Sequence, residues 1–198
     1  AIALWISYSR SALLAAFVGV VIVCVYAWGK KIKPLWWVGL CGLAVLIATT
    51  GYVALKDSDF ISNVVLHEDP SEGGSVDSND GHLESLQYGV MKMLEQPFGA
   101  GVGSTGTASY YTETPTIIEN QYLFTAHEVG WVGVILFLGI FIEVMRRLWA
   151  RRRDWLAIGV FASGVGMAVI GLLLPVWVDD TVSLIWWGLA AVAIGGID

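Results

Sequence analysis

The chain has 198 residues, 56% of them hydrophobic, and a mean hydropathy of +0.68. That is too apolar for an ordinary water-soluble domain of this length. The net charge of −6 is carried by segregated charges and includes no basic excess that would suit nucleic acid.

In chain order, Ala1 to Ile6 reads as the tail of an earlier apolar segment, so the sequence reads as the C-terminal portion of a longer multi-span protein. No cleavable signal pattern follows. Residues 11–28 form a first predicted span, with Ser9 or Ser11 able to cap it. Lys30, Lys31 and Lys33 come next, and Pro34 opens a second span over 34–55. A mostly polar segment runs from 56 to 118. The third predicted span is 120–144, closed by Arg146, Arg147, Arg151, Arg152 and Arg153. A fourth covers 155–178, and Asp179-Asp180-Thr181 turns the chain into a fifth over 182–197. Cys24 and Cys41 both fall inside apolar runs and read as small apolar residues. There is no Cys-x-x-Cys or metal-ligand spacing, so neither metal nor cofactor is expected.

Basic residues set the expected orientation. Eight of the eleven Lys and Arg lie in the loops 30–33 and 146–153, which therefore face the cytoplasm. A crossing out over 34–55 and back over 120–144 leaves 56–118 outside. Arg10 and Asp179-Asp180 fall on that same outer side. The expected fold is all-α: a polytopic transmembrane helix bundle with one large extracytoplasmic loop. That loop contains an amphipathic helix of about 15 residues opened by Asp80-Gly81. Leu83, Leu86, Val90 and Leu94 make its apolar stripe, and Glu84, Tyr88, Lys92 and Glu95 its other side. It is expected to lie along the membrane or over the bundle. Pro97-Phe98-Gly99-Ala100-Gly101-Val102-Gly103 ends it.

Glu119, Asn120, His127 and Glu128 stand at the start of an apolar run long enough to cross a bilayer. Polar groups there are expected to face a protein interior or a wet cavity. Gly130 and Gly133 offer a small surface for close helix packing.

Glu119-Asn120, nine residues, then Gly130-x-x-Gly133 resembles the signature of the bacterial O-antigen ligase and polymerase superfamily. In the ligases that pattern begins with His followed by Asn, Ser or Gln. Here Glu119 stands at the His position, so ligase and polymerase both stay open. Ser7-Tyr8-Ser9-Arg10-Ser11-Ala12-Leu13-Leu14-Ala15 is similar to the superfamily's Ser-Arg motif opening a span. Gly81-His82 stands where many relatives have Gly-Arg, and Pro97-Phe98-Gly99-x-Gly101-x-Gly103 adds to the likeness. The resemblance runs from Ser7 through at least Phe141. It implies a multi-pass glycosyltransferase of the cell inner membrane that makes surface polysaccharide. The donor would be a polyprenyl-diphosphate-linked glycan, and the acceptor a glycan, lipid or protein. Membrane lipids complete the expected partners; no nucleic acid is expected. The rival readings are a non-catalytic membrane fragment and a transporter or channel subunit. The centres of the first, second, fourth and fifth spans carry no charges, which weighs against transport.

Each candidate residue has a functional and a plain reading. Arg10 either grips the donor diphosphate with its planar guanidinium or snorkels to the interface. His82 either donates to the diphosphate or is an exposed residue at a helix end. The Gly99–Gly106 stretch either cradles phosphate with backbone N–H groups or only turns the chain. Glu119, at the place of the ligase His, is the expected base toward the acceptor hydroxyl; otherwise it is a carboxylate favoured by a helix N-terminus. Asn120 and His127 join the catalytic set by holding loop or substrate with hydrogen bonds, His127 also reading as a buried structural histidine. Glu128 reads as structural. The tryptophans, Trp36-Trp37 and Trp186-Trp187 among them, read most simply as interface anchors.

Overall fold

In the computed structural model, residues 10–29, 78–111 and 115–196 are described, without the side chains of Arg10, Ser78, Asn79, Asp80 and His82. The predicted second span, 34–55, and the polar residues 56–77 lie outside the described residues. Within them, all regular structure is helical. The long helices are α1 (Arg10–Trp28), α2 (Ser78–Glu95), α3 (Gln121–Ala150), α4 (Trp155–Ile170) and α5 (Asp180–Gly195). Short 3-10 turns cover Gly106–Tyr111 and Val176–Val178.

α1 is apolar on all sides, and α3 carries a long apolar run; both are long and apolar enough to cross a membrane. Phe17, Val20, Ile135, Leu136, Leu184 and Ile185 are all exposed. Surface of that kind and extent is stable against lipid rather than water. α4 and α5 have 16 residues each, and α4 is shorter than the predicted 155–178. It stops because Gly171 follows Ile170 and the next carbonyls turn to partners on α3 rather than to their own helix. Asp154 and Asp179 cap α4 and α5, accepting from Leu156 N and Val182 N.

The bundle is held where small residues let helices approach. α1 runs antiparallel to α4, with Gly19 against Ala162 and Gly166 against Ala15. A Cβ on Gly166 would stand 2.6 Å from the Ala15 carbonyl oxygen. The main core lies among α3, α4 and α5 and includes Met145, Leu148, Ala157, Val160, Trp186 and Ala190. Trp186 is 3% exposed, packs against Phe141, Trp177 and Trp187, and donates Nε1–H to the Val160 carbonyl. The interface-anchor reading of Trp186 is therefore corrected: its ring fills the bundle because Gly164 opposite leaves room for it.

α3 is not one continuous helix. Gly130 sits at φ 69, ψ −174, splitting it into 121–129 and 131–150. The expected packing surface at Gly130 and Gly133 is thus a break. It frees the carbonyls of His127 and Glu128, and the loop after α2 takes them. Ala100 N donates to His127 O (2.6 Å) and Gly101 N to Glu128 O (3.0 Å), while Trp131 N donates to Pro97 O (3.0 Å). Two glycines interlock at this crossing. Gly99 and Gly130 both have positive φ, and a Cβ on either would lie within 2.6 Å of the other segment's backbone.

Gly130→Ala and Gly99→Ala should each cost upward of about 2 kcal/mol, combining a left-handed backbone of about 1–2 kcal/mol with overpacking of about 1–3. Thermal unfolding in detergent should show this loss, and Gly139→Ala, with open space around it, should show none.

Candidate functional site

The site is assembled where the N-terminus of α3 meets the C-terminal end of α4. A helix start leaves four backbone N–H groups without intrahelical partners and a helix end leaves four carbonyls. Here most of them are met across the two ends. Gln121 N donates to Gly171 O (2.8 Å), Tyr122 N and Leu123 N donate to Asn120 Oδ1 (3.0 Å each), and Phe124 N donates to Asn120 O. Asn120 Nδ2 donates to Leu172 O (2.9 Å), and Tyr122 Oη–H donates to Ala168 O (2.8 Å). The carbonyls of Met167, Val169 and Ile170 accept from Gly171, Leu172 and Leu173.

Asn120 is therefore the N-cap of α3, with extended backbone (φ −147, ψ 123). Its amide is fully engaged: oxygen to α3, nitrogen to the segment after α4. Gln121, which the sequence reading did not single out, is buried beside it; its Oε1 accepts from Trp177 N at 2.8 Å. The signal was there, two consecutive carboxamides at the mouth of an apolar run.

Glu119 is half-buried, just before the cap. Its N–H donates to Ser85 Oγ (2.9 Å), and Ser85 Oγ–H reaches Ile117 O at 3.3 Å. α2 thereby holds the strand-like lead-in to α3 from one side, as the end of α4 holds the cap from the other. Ser85 was also missed, hidden on the side of α2 away from its apolar stripe.

His127 is 5% exposed, in the polar first part of α3. Its Nδ1 and the Ser104 Oγ are buried without hydrogen-bond partners among the described residues. Such groups call for a small polar guest, a water or a hydroxyl. Glu128 points to the loop instead: its Oε1 accepts from Gly103 N at 2.7 Å. That bond stands where a phosphate oxygen would have to sit in a cradle. The amides of Gly99, Ala100, Gly101, Gly103, Ser104 and Gly106 all have protein acceptors. The glycine-rich stretch is a clasp on α3, not an anion nest. Beyond it, Thr105, Ser109 and Gly106 all donate to Thr116 O, fixing the return of the loop to Ile118.

Arg10 is the first residue of α1, and His82 lies in the first part of α2. Since α1 pairs with α4 through Ala15–Gly166 and Gly19–Ala162, its start is level with Gly171 at the end of α4. The backbone of Arg10 thus stands at the same end of the bundle as Asn120 and Asp179. Tyr26 and Trp149 pack together at the opposite end (6.3 Å), where Arg146, Arg147 and Arg151–Arg153 gather. Lys92 is tied to Glu95 (2.9 Å), and that hydrogen bond raises its pKa, keeping it a paired cation.

Residues 1–138 match the family model described as O-antigen ligase. That range takes in Arg10, His82, Glu119, Asn120 and His127. No curated protein matches the chain.

Removing the cap should weaken the site's frame. Asn120→Ala loses the cap to α3, typically about 1 kcal/mol, and the tie to Leu172. Asn120→Asp keeps the cap oxygen and loses only the tie. Thermal unfolding in detergent should rank wild type above Asp above Ala; equal stability of all three would remove Asn120 as the joint.

Proposed function

This chain belongs to the O-antigen ligase family, and from that premise we propose that it transfers or polymerises glycan from a polyprenyl-diphosphate donor at the outer face of the cytoplasmic membrane. The family makes it a membrane protein of the O-antigen ligase and polymerase type, a glycosyltransferase-like enzyme of polysaccharide biosynthesis. The donor, the acceptor side and the residue roles are our reading.

One observation carries it. At the Asn120 end of the bundle, the four N-terminal amides of α3 and the clasp amides named above already have protein acceptors. A donor diphosphate at this end has to be met by cationic side chains, and Lys92 is already paired. Arg10, whose backbone is level with the site, is the residue suited to grip it in two-pronged fashion, with His82 as a second donor. Asn120 serves by holding the mouth of α3 in place, and His127 by offering an unpartnered nitrogen inside it.

In the proposed step, Glu119 accepts the proton of an acceptor hydroxyl. The hydroxyl oxygen bonds to the anomeric carbon of the donor glycan. The bond from that carbon to the diphosphate oxygen breaks, and polyprenyl diphosphate leaves with the electron pair, neutralised by Arg10. A positioned base contributes typically about 10²–10⁴-fold. The clustering of Lys and Arg at the far end of the bundle supports placing the site outside.

Arg10→Ala should abolish glycan transfer at normal protein level, and Arg10→Lys should restore little. Glu119→Gln should lose about 10²–10⁴-fold in rate while donor binding persists; a fully active Glu119→Gln enzyme would remove it as the base. Orientation is checked separately. A cysteine at Thr107 should react with a membrane-impermeant maleimide in intact cells and one at Arg152 should not, and the reverse pattern would overturn the outer-face assignment.

A further inference from the structure

α2 carries more apolar surface than the bundle uses. Its packed side is made by Ser85, Tyr88, Gly89 and Met93, which meet Ile117, Ile118 and Leu123. The approach is closest at Gly89, where a Cβ would stand 3.1 Å from both Ile118 and Leu123. Leu83, Leu86, Val90 and Leu94 take no part in that contact and are exposed. At about 100° per residue they fill an arc roughly 80° wide, adjoining the packed side. Glu84, Gln87 and Glu95 lie beyond that arc and are exposed too. The helix has three strips: one against protein, one apolar, and one mainly polar in which Met91 is also exposed.

The apolar strip continues past the end of the helix. Phe98 is 90% exposed and Val102 84%. Phe98 lies directly on the α3 break, since a Cβ on Gly130 would be 2.6 Å from its carbonyl carbon. From there the exposed apolar surface runs on as Trp131, Val132, Ile135 and Leu136, on α3, the helix long and apolar enough to cross a bilayer. Trp131 Nε1–H donates to Met93 O at 2.7 Å, pinning α2 to the head of that segment. The strip is thus one end of a surface whose other end is in lipid.

We propose that α2 is an interfacial helix seated in the lipid headgroup layer. Leu83, Leu86, Val90, Leu94 and Phe98 turn into the bilayer, and Glu84, Gln87 and Glu95 turn to water. A bilayer surface has the same sharp apolar-to-polar boundary as the free arc of α2. The occupant is lipid because the strip is continuous with the membrane-crossing surface of α3. This seating fixes the height of the clasp, and of the lead-in to α3 that Ser85 holds, relative to the lipid headgroups. It does not depend on which glycan, if any, is transferred.

The test uses the whole chain with Cys24 and Cys41 replaced by alanine, in vesicles of phosphatidylethanolamine and phosphatidylglycerol. Nitroxide labels are placed singly at Leu86, Val90, Leu94, Glu84 and Glu95, with Ile135 as the lipid reference. Labels at Leu86, Val90 and Leu94 should collide several-fold more with oxygen than with a water-soluble nickel chelate, as at Ile135. Labels at Glu84 and Glu95 should show the reverse. Shielding of Leu86 and Leu94 from both reagents would assign the strip to a protein partner, whether earlier chain or a second copy. Access of nickel to them would put the strip in water. Either result overturns the proposal. Phe98, exposed and outside the helix, gives the same readout without disturbing the packing of α2.

Discussion

The structure depends on one head-to-tail joint between two helices. The start of α3 presents N–H groups, the end of α4 presents carbonyls, and the two ends satisfy each other through Asn120, Gln121 and Tyr122. In water such groups could turn to solvent, and the net gain of each bond would be about 0.5–1.5 kcal/mol. Near lipid that alternative is lost, and an unsatisfied backbone group costs several kcal/mol. The joint also aligns opposite ends of two helix dipoles, which attract. Glu119 precedes the joint by one residue, so the joint on one side and its own N–H bond to Ser85 on the other set its position.

The break at Gly130 divides α3 between two tasks. Residues 121–129 are polar enough to line a site, and residues 131–150 are apolar enough to meet lipid. A continuous helix would have carried His127 and Glu128 on the same rod into the apolar region, at high cost. The break instead turns the carbonyls of both residues to the clasp. Glu128 finishes the clasp by accepting from Gly103, which accounts for an acid next to the break.

Much of this was legible in the sequence. The all-helical class and the presence of membrane-length apolar helices follow from composition and period, because lipid leaves helices few alternatives; the family likeness came from motifs, above all Glu119-Asn120 and Gly130-x-x-Gly133. The break was not legible. Gly130-x-x-Gly133 has the spacing of a helix-packing motif, and only the backbone angle and the facing loop tell the two apart. The glycine-rich stretch misled for a related reason: glycines that admit a phosphate also admit another backbone, and here the backbone of α3 took the place. Trp186 has the composition of an interface anchor, but Gly164, far away in sequence, gives it a core position. Gln121 and Ser85 went unnoticed because their roles are contacts between distant segments.

The joint has a bearing on the order in which the protein is made. Every motif that points to the site lies before Val134, yet the groups that receive Asn120, Gln121 and Tyr122 lie at Ala168, Gly171, Leu172 and Trp177. While the ribosome is still translating α4, α3 has a capped but undocked end at the membrane surface. The site's frame closes only when α4 has entered the bilayer and the turn before α5 has come back over it. A chain halted after the arginine cluster would keep all the signature residues and lack the surface that seats them. The hairpin of α4 and α5, though it bears none of the recognisable chemistry, supplies the surface that seats the start of α3.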